Sequence, residues 1–244
     1  MIKKITCLSL IALLSACGGE STAPQNQNEP KPVSSSHSKL GRFLSESQIC
    51  EILSMDALAT FATSQPEINQ EASAYRDTYT CTYSWPRPDA EERQKKMFEA
   101  TMASMRGEGE MPSMRERMTD YQITISAKKS QRQASTFVPP VLSEAQMQAQ
   151  IAAAKERTAK QLTEEQKALA GDAADDMVER LIRKNNENQP VAGVGDAAYW
   201  SNLSVGSLQV LAGDIEISIS PMLADTKQAD IENAQRIATA LLDD

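Results

Sequence analysis

The chain has 244 residues, with 33 acidic and 25 basic side chains for a formal net charge of −8, and only 5% aromatic residues. An acidic balance without a basic stripe to offset it argues against nucleic acid as a partner. The single histidine, His37, lies in a polar stretch, so a folded domain here has no histidine for a catalytic triad, a general base or a zinc site.

The N-terminus reads as a targeting signal. Lys3 and Lys4 precede an apolar run from Ile5 to Leu14, which is too short for a bilayer span of ~20 residues. The spacing predicts a cleaved secretory signal over residues 1–16. The run Leu14-Ser15-Ala16-Cys17 resembles the bacterial lipobox, and that resemblance implies diacylglyceryl transfer to the Cys17 thiol, cleavage before it and acylation of the new amine. Several acyl chains hold a protein on a membrane far more firmly than one. Residue 18 is Gly and not Asp, which in Gram-negative relatives of this pattern implies onward export to the outer membrane, with the domain in the periplasm or at the cell surface. Losing residues 1–16 removes Lys3 and Lys4 and no acid, so 25 basic side chains become 23 against 33 acidic, a balance of −10.

Residues 17–43 are then a lipidated cysteine followed by Gly, Ser, Pro, Gln and Asn, a composition expected to form a disordered linker. A single α+β domain is expected over 44–244. Ser45-Glu46-Ser47-Gln48 reads as a capping box opening a helix with Ile49, Ile52 and Leu53 on one face, and Ser54 as a cap for a second short helix. Tyr79, Cys81, Tyr83 and Trp85 alternate with Thr80, Thr82 and Ser84, a half-buried strand ended by Pro86 and Pro88. A helix over 89–106 and a Met-rich loop follow. Tyr121, Ile123, Ile125 and Ala127 then alternate with Gln122, Thr124 and Ser126 as a second strand.

Capping boxes at Ser143/Gln146 and Thr163/Gln166 predict helices over about 145–161 and 164–185, a helical insertion at 143–186. In the second of these, Leu169, Ala173, Met177 and Leu181 are spaced as a buried stripe. Strands are expected over 197–203 and 207–212, with Gly213-Asp214 as a hairpin turn into Ile215, Ile217 and Ile219, and Pro221 as the end of the sheet. A helix over 226–242 closes the chain with Ile231, Ala234, Ile237, Ala238 and Leu241 inward. Strands with one apolar and one Thr/Ser face imply a mostly antiparallel sheet of four to six strands backed by helices, with the long helical insertion in the middle.

Cysteine arithmetic leaves one pair. Cys7 departs with the signal and Cys17 is lipidated, so Cys50 and Cys81 are expected to form a disulfide in an oxidising compartment. The alternative, two free catalytic or metal-binding thiols, lacks CxxC spacing. The run Cys50…Cys81-Thr82-Tyr83 together with Val194-Gly195-Asp196-Ala197-Ala198 resembles a family of small secreted bacterial lipoproteins of unknown function, best known in actinobacteria. These are similar in outline to extracellular sensor domains of some bacterial Ser/Thr kinases. The resemblance implies a helix-backed antiparallel sheet over roughly 45–244 and no catalytic residues; the 143–186 stretch and the Met-rich loop depart from it. From the residues themselves, Gly195-Asp196 is a turn feeding a strand, since Gly allows positive φ and Asp bonds local backbone.

The remaining chemistry is thin. Met97, Met102, Met105, Met111, Met114 and Met118 cluster, and Met102/Met105 and Met111/Met114 carry the Met-x-x-Met spacing that suits Cu(I) or Ag(I). Methionine equally fills apolar gaps or forms adaptable partner surfaces. Ser126-Ala127-Lys128-Lys129 matches Ser-x-x-Lys on a strand, where Ser and Lys three apart point to opposite faces. Gly193-Val194-Gly195 lacks the third glycine of a dinucleotide loop. These readings favour a non-catalytic binding module with no cofactor. The Thr/Ser face (Thr80, Thr82, Thr124, Ser126, Ser218, Ser220) would be its docking surface for an envelope protein or glycan. A Met-based copper or silver handler is the alternative, and a hydrolase of envelope polymers a distant third.

Overall fold

The computed structural model describes residues 35–62, 67–109, 112–165 and 172–243. The signal segment, Cys17, most of the expected linker, Met111, Gln166 and Leu169 lie outside these residues.

Period-two sequences fold as read. β1 (Asn69–Tyr75), β2 (Thr78–Pro86), β3 (Asp120–Lys129), β4 (Gln189–Val191), β5 (Ala197–Ser201), β6 (Ser207–Ala212) and β7 (Ile215–Met222) form one sheet in the order β1-β2-β3-β7-β6-β5-β4. Every pairing is antiparallel. The fold is α+β as expected, with seven strands where four to six were expected.

Register puts Cys81, Tyr83, Ile123, Ile125, Ile217 and Ile219 on one side. Cys81 lies opposite Ile125, which lies opposite Ile219; Tyr83 lies opposite Ile123. All of these are fully buried. The last helix, α7 (Lys227–Asp243), covers this face with Ile231, Ala234, Ile237, Ala238 and Leu241, the stripe expected from its 3.6-residue period. Each fully buried Ile or Leu contributes roughly 1.5–3 kcal/mol relative to exposure.

The other side of the core comes from the N-terminal segment. α1 (Met55–Ala59) is capped by Ser54, whose Oγ accepts from the Ala57 amide. The preceding capping box does not open an α-helix. The Ser45 hydroxyl donates to the Gln48 side-chain carbonyl at 3.2 Å, and only a 3-10 turn, Ile49–Glu51, follows. The folded part also begins before residue 44. Ser35–Phe43 is a 3-10 helix, and Leu40 and Phe43 are buried in the main core, so the expected linker does not run to residue 43 and His37, read as part of that linker, lies on this helix instead. Composition hid this because the two apolar residues sit among Ser, Lys and Gly.

Cys50 and Cys81 form a disulfide with Cα atoms 5.1 Å apart, joining the 3-10 turn to β2. The Tyr83 hydroxyl donates to the Cys50 carbonyl at 3.0 Å, and burial pushes that phenol up to about 12.

Five further helices stand outside this core. α2 (Ala90–Met105) has no buried residue. α3 (Met114–Arg117), within the expected Met-rich loop, carries a complete capping box between Ser113 and Glu116. α4 (Ala134–Phe137) leads into α5 (Glu144–Gln161) and α6 (Ala173–Asn185), the expected helical insertion. Ser143 and Gln146 form their box, and Met147 and Ile151 are buried on α5. The expected buried stripe of α6 is overturned: Met177 is 57% and Leu181 46% exposed. The neighbouring row Ala174, Val178 and Ile182 is half-buried instead, so the helix is turned by about one residue, ~100°. Salt bridges Lys155–Glu179 and Arg183–Glu144 tie α5 to α6. Pro221 does not end the sheet; it lies within β7 opposite Ile123. Among the described residues no helix is long and apolar enough to cross a membrane.

Candidate functional site

The period-two register of β2, β3 and β7 assembles all six expected hydroxyls on one face in two rows. Thr80, Ser126 and Ser218 form one row, and Thr82, Thr124 and Ser220 the other. All six are half-buried. They bond across strands: the Thr80 and Ser126 hydroxyls lie 2.8 Å apart, and those of Thr82 and Thr124 3.4 Å. Gln209 on β6, opposite Ser218, extends the first row and donates to that hydroxyl at 2.8 Å. Ser220 donates to the Gly206 carbonyl. The rows therefore form a pre-ordered hydrogen-bonding floor.

One corner of this face is charged and one is covered. Lys128 lies opposite Glu216, 3.8 Å from its carboxylate, beside Ser126, Gln209 and Ser218 in a shallow depression of about 130 Å³. Towards β5, Phe137 of α4 is fully buried against Tyr199 with ring centroids 5.5 Å apart, and Arg132 lies 4.8 Å over the Phe137 ring. Burial raises the Tyr199 phenol above its ordinary value.

A second site went unread in the sequence. A cleft of about 670 Å³ between α2 and α3 is lined by Arg93, Lys96, Met97, Arg115, Glu116 and Asp225 among others. Arg93 donates to Asp89 at 2.8 Å and also to Asp225, and Arg87 donates to Asp225 at 3.2 Å. The hydrogen bond from Arg93 holds the Asp225 carboxyl below its usual range. Arg87 is buried, 4.4 Å over the Tyr121 ring, and its Nε has no hydrogen-bond partner among the described residues. Behind the cleft, Arg115 Nε donates at 3.1 Å to Asp230, which is fully buried and also accepts from the Leu223 and Ala224 amides. Burial pushes the Asp230 carboxyl up, against the Arg115 charge. These arginines are matched by aspartates of the same chain, so the cleft reads as a clasp on the β7–α7 connection. Ser113-x-x-Glu116 was the one sequence signal that could have marked α3 and the residues around it.

Gly195 and Asp196 do not line either site. Gly195 adopts φ +58, and a Cβ there would stand 2.5 Å from the Leu211 carbonyl oxygen. The Asp196 amide donates to that carbonyl, and its carboxylate accepts from the Gly213 amide at 2.6 Å. The pair clamps the start of β5 to the β6–β7 turn. Met102 and Met105 are exposed on α2, Met114 opens α3 and Met118 follows it. Among the described residues no three His, Cys, Asp or Glu side chains group as metal ligands.

Comparison of the chain with protein-family models, curated proteins and solved structures finds no match.

Proposed function

We propose that the chain is a lipid-anchored cell-envelope protein whose folded domain is a non-catalytic docking module. The anchor is the Cys17 lipid, the location the outer membrane, and the working surface the hydroxyl face of β2, β3 and β7. The observation that carries this reading is the double row of six half-buried hydroxyls on three adjacent strands, beside the Lys128–Glu216 corner. Such a floor offers donors and acceptors at fixed spacing to a polar partner, an envelope protein or a glycan, at little ordering cost.

Two experiments test it. Radiolabelled palmitate should enter the wild-type chain and not Cys17→Ser; equal labelling removes the anchor. A photo-crosslinking residue placed at Thr124 in cells should capture a discrete envelope component, and Thr124→Lys should abolish capture by a probe at Ser218. Capture no different from that by a probe on exposed Val141, far along the chain in another loop, removes the docking face.

A second reading, Cu(I) or Ag(I) handling, is favoured by Met102 and Met105 standing exposed one helical turn apart on α2. Cu(I) titration of the wild-type chain against Met102→Leu/Met105→Leu decides it; equal affinity ends it.

A further inference from the structure

The two edges of the sheet are built differently. β4 is three residues long and contains Pro190, which has no amide to offer a further strand. β1 is seven residues long, pairs with β2 at every position from Asn69 to Tyr75, and contains no proline, lysine or bulge. Six of its seven residues are exposed. Natural sheets blunt a free edge with those devices, because alternate outward N–H and C=O groups template any extended chain. β1 has none of them and carries a single charge, Glu71.

We propose that β1 is a pairing edge for a second copy of the chain, adding antiparallel about Ala72 to make a continuous fourteen-stranded sheet across the pair. The sequence of β1 is complementary to itself in this register. Ala72 meets Ala72, Glu71 meets Ser73, Gln70 meets Ala74 and Asn69 meets Tyr75, so all seven residues pair and no like charges oppose. Moving the centre to Glu71 would set two carboxylates against each other, which destabilises a cross-strand pair. Centring on a residue also keeps the faces matched, since side chains alternate strictly along a strand. Each apolar side continues into the other, and the two hydroxyl faces merge.

Exposed apolar groups sit where this pairing would cover them. Met55 is 52% exposed, and its sulfur accepts from the Gln70 side chain at 3.0 Å, placing it over the edge on the apolar side. In the pair it lies beside Ala74 of the second copy. Tyr75, 72% exposed, falls beside Asn69 of the second copy on the hydroxyl side. The inference goes beyond the docking function and stands without the lipid anchor.

The test uses charge at one exposed position of the full chain. Ser73→Glu places a carboxylate opposite Glu71 twice per dimer and should lower the dimer fraction several-fold in sedimentation velocity; Ser73→Lys should raise it. Circular dichroism should be unchanged for both. Mixed Glu71→Cys and Ser73→Cys chains should cross-link several-fold more than either variant alone, with the wild-type chain as the thiol control. A chain that stays monomeric in all variants, or cross-links equally in every mixture, overturns the proposal. So does a monomer whose β1 amides gain exchange protection only when a different polypeptide is added, which assigns the edge to that strand instead.

Discussion

α2 and α7 are nearly the same length, 16 and 17 residues, and differ completely in how they are held. α7 presses Ile231, Ala234, Ile237, Ala238 and Leu241 onto the sheet and anchors its first turn through buried Asp230. α2 has no fully buried residue, exposes Phe98, Met102 and Met105, and is tied by Arg93 to Asp225 at the rim of a cleft. Stability flows from apolar burial and from desolvated pairs, while exposed ion pairs contribute little. One helix is thus part of the core, and the other is an appendage held by charge.

Four measurements sharpen or break that contrast. Arg115→Ala strips the buried Asp230 of its counter-ion and should cost about 3–5 kcal/mol in urea unfolding at neutral pH. A cost near that of a surface substitution would show Asp230 satisfied by its two amides alone. Ile237→Ala should cost about 2–5 kcal/mol, whereas Phe98→Ala on α2 should stay within about 0.5 kcal/mol; equal costs would erase the distinction between the helices. Reducing Cys50–Cys81, which closes a loop of 31 residues in separation, should cost about 3.7 kcal/mol by the chain-entropy argument. Non-reducing peptide mapping should find the two residues in one linked species.

The smallest effect belongs to α2. The Asp225 carboxyl is held below its ordinary value by Arg93. Its contribution is therefore present above the unfolded carboxylate range and fades as pH falls towards the folded value. Asp225→Asn should lower stability by under about 1 kcal/mol at neutral pH, because the side chain is 67% exposed. The difference from wild type should shrink at pH ~3 and in high salt. A loss that persists at low pH would mean that a neutral hydrogen bond, and not charge, holds α2.

The same contrast explains what could be read from the sequence. Where a strand or helix has a buried and a half-exposed side, its period is visible: β2, β3, β7 and α7 appear at their expected positions with their expected inward residues. β1 escaped because Asn69-Gln70-Glu71-Ala72-Ser73-Ala74-Tyr75 is exposed on both sides and leaves no alternation. β4 escaped because it is short and holds Pro190. On α6 two parallel rows of apolar residues compete, and local spacing cannot say which faces its neighbour. The hydroxyl face was legible because its six residues fall on read strands. The Arg87, Arg93 and Arg115 clasp was not, since its aspartates come from positions 89, 225 and 230 and only the fold brings them together.

The strand order carries a consequence for how the molecule assembles over time. β1, β2 and β3 are successive in the chain and adjacent in the sheet, so they can pair as soon as residue 129 is available. The next neighbour of β3 is β7, from residue 215 onward, and the whole helical insertion comes first. Distant pairings of this kind are slow to form. A chain that ends before β7 leaves the side of β3 that lies inside the finished sheet as open as β1, two free borders in place of one. Truncations ending before residue 215 should therefore aggregate far more readily than the intact chain.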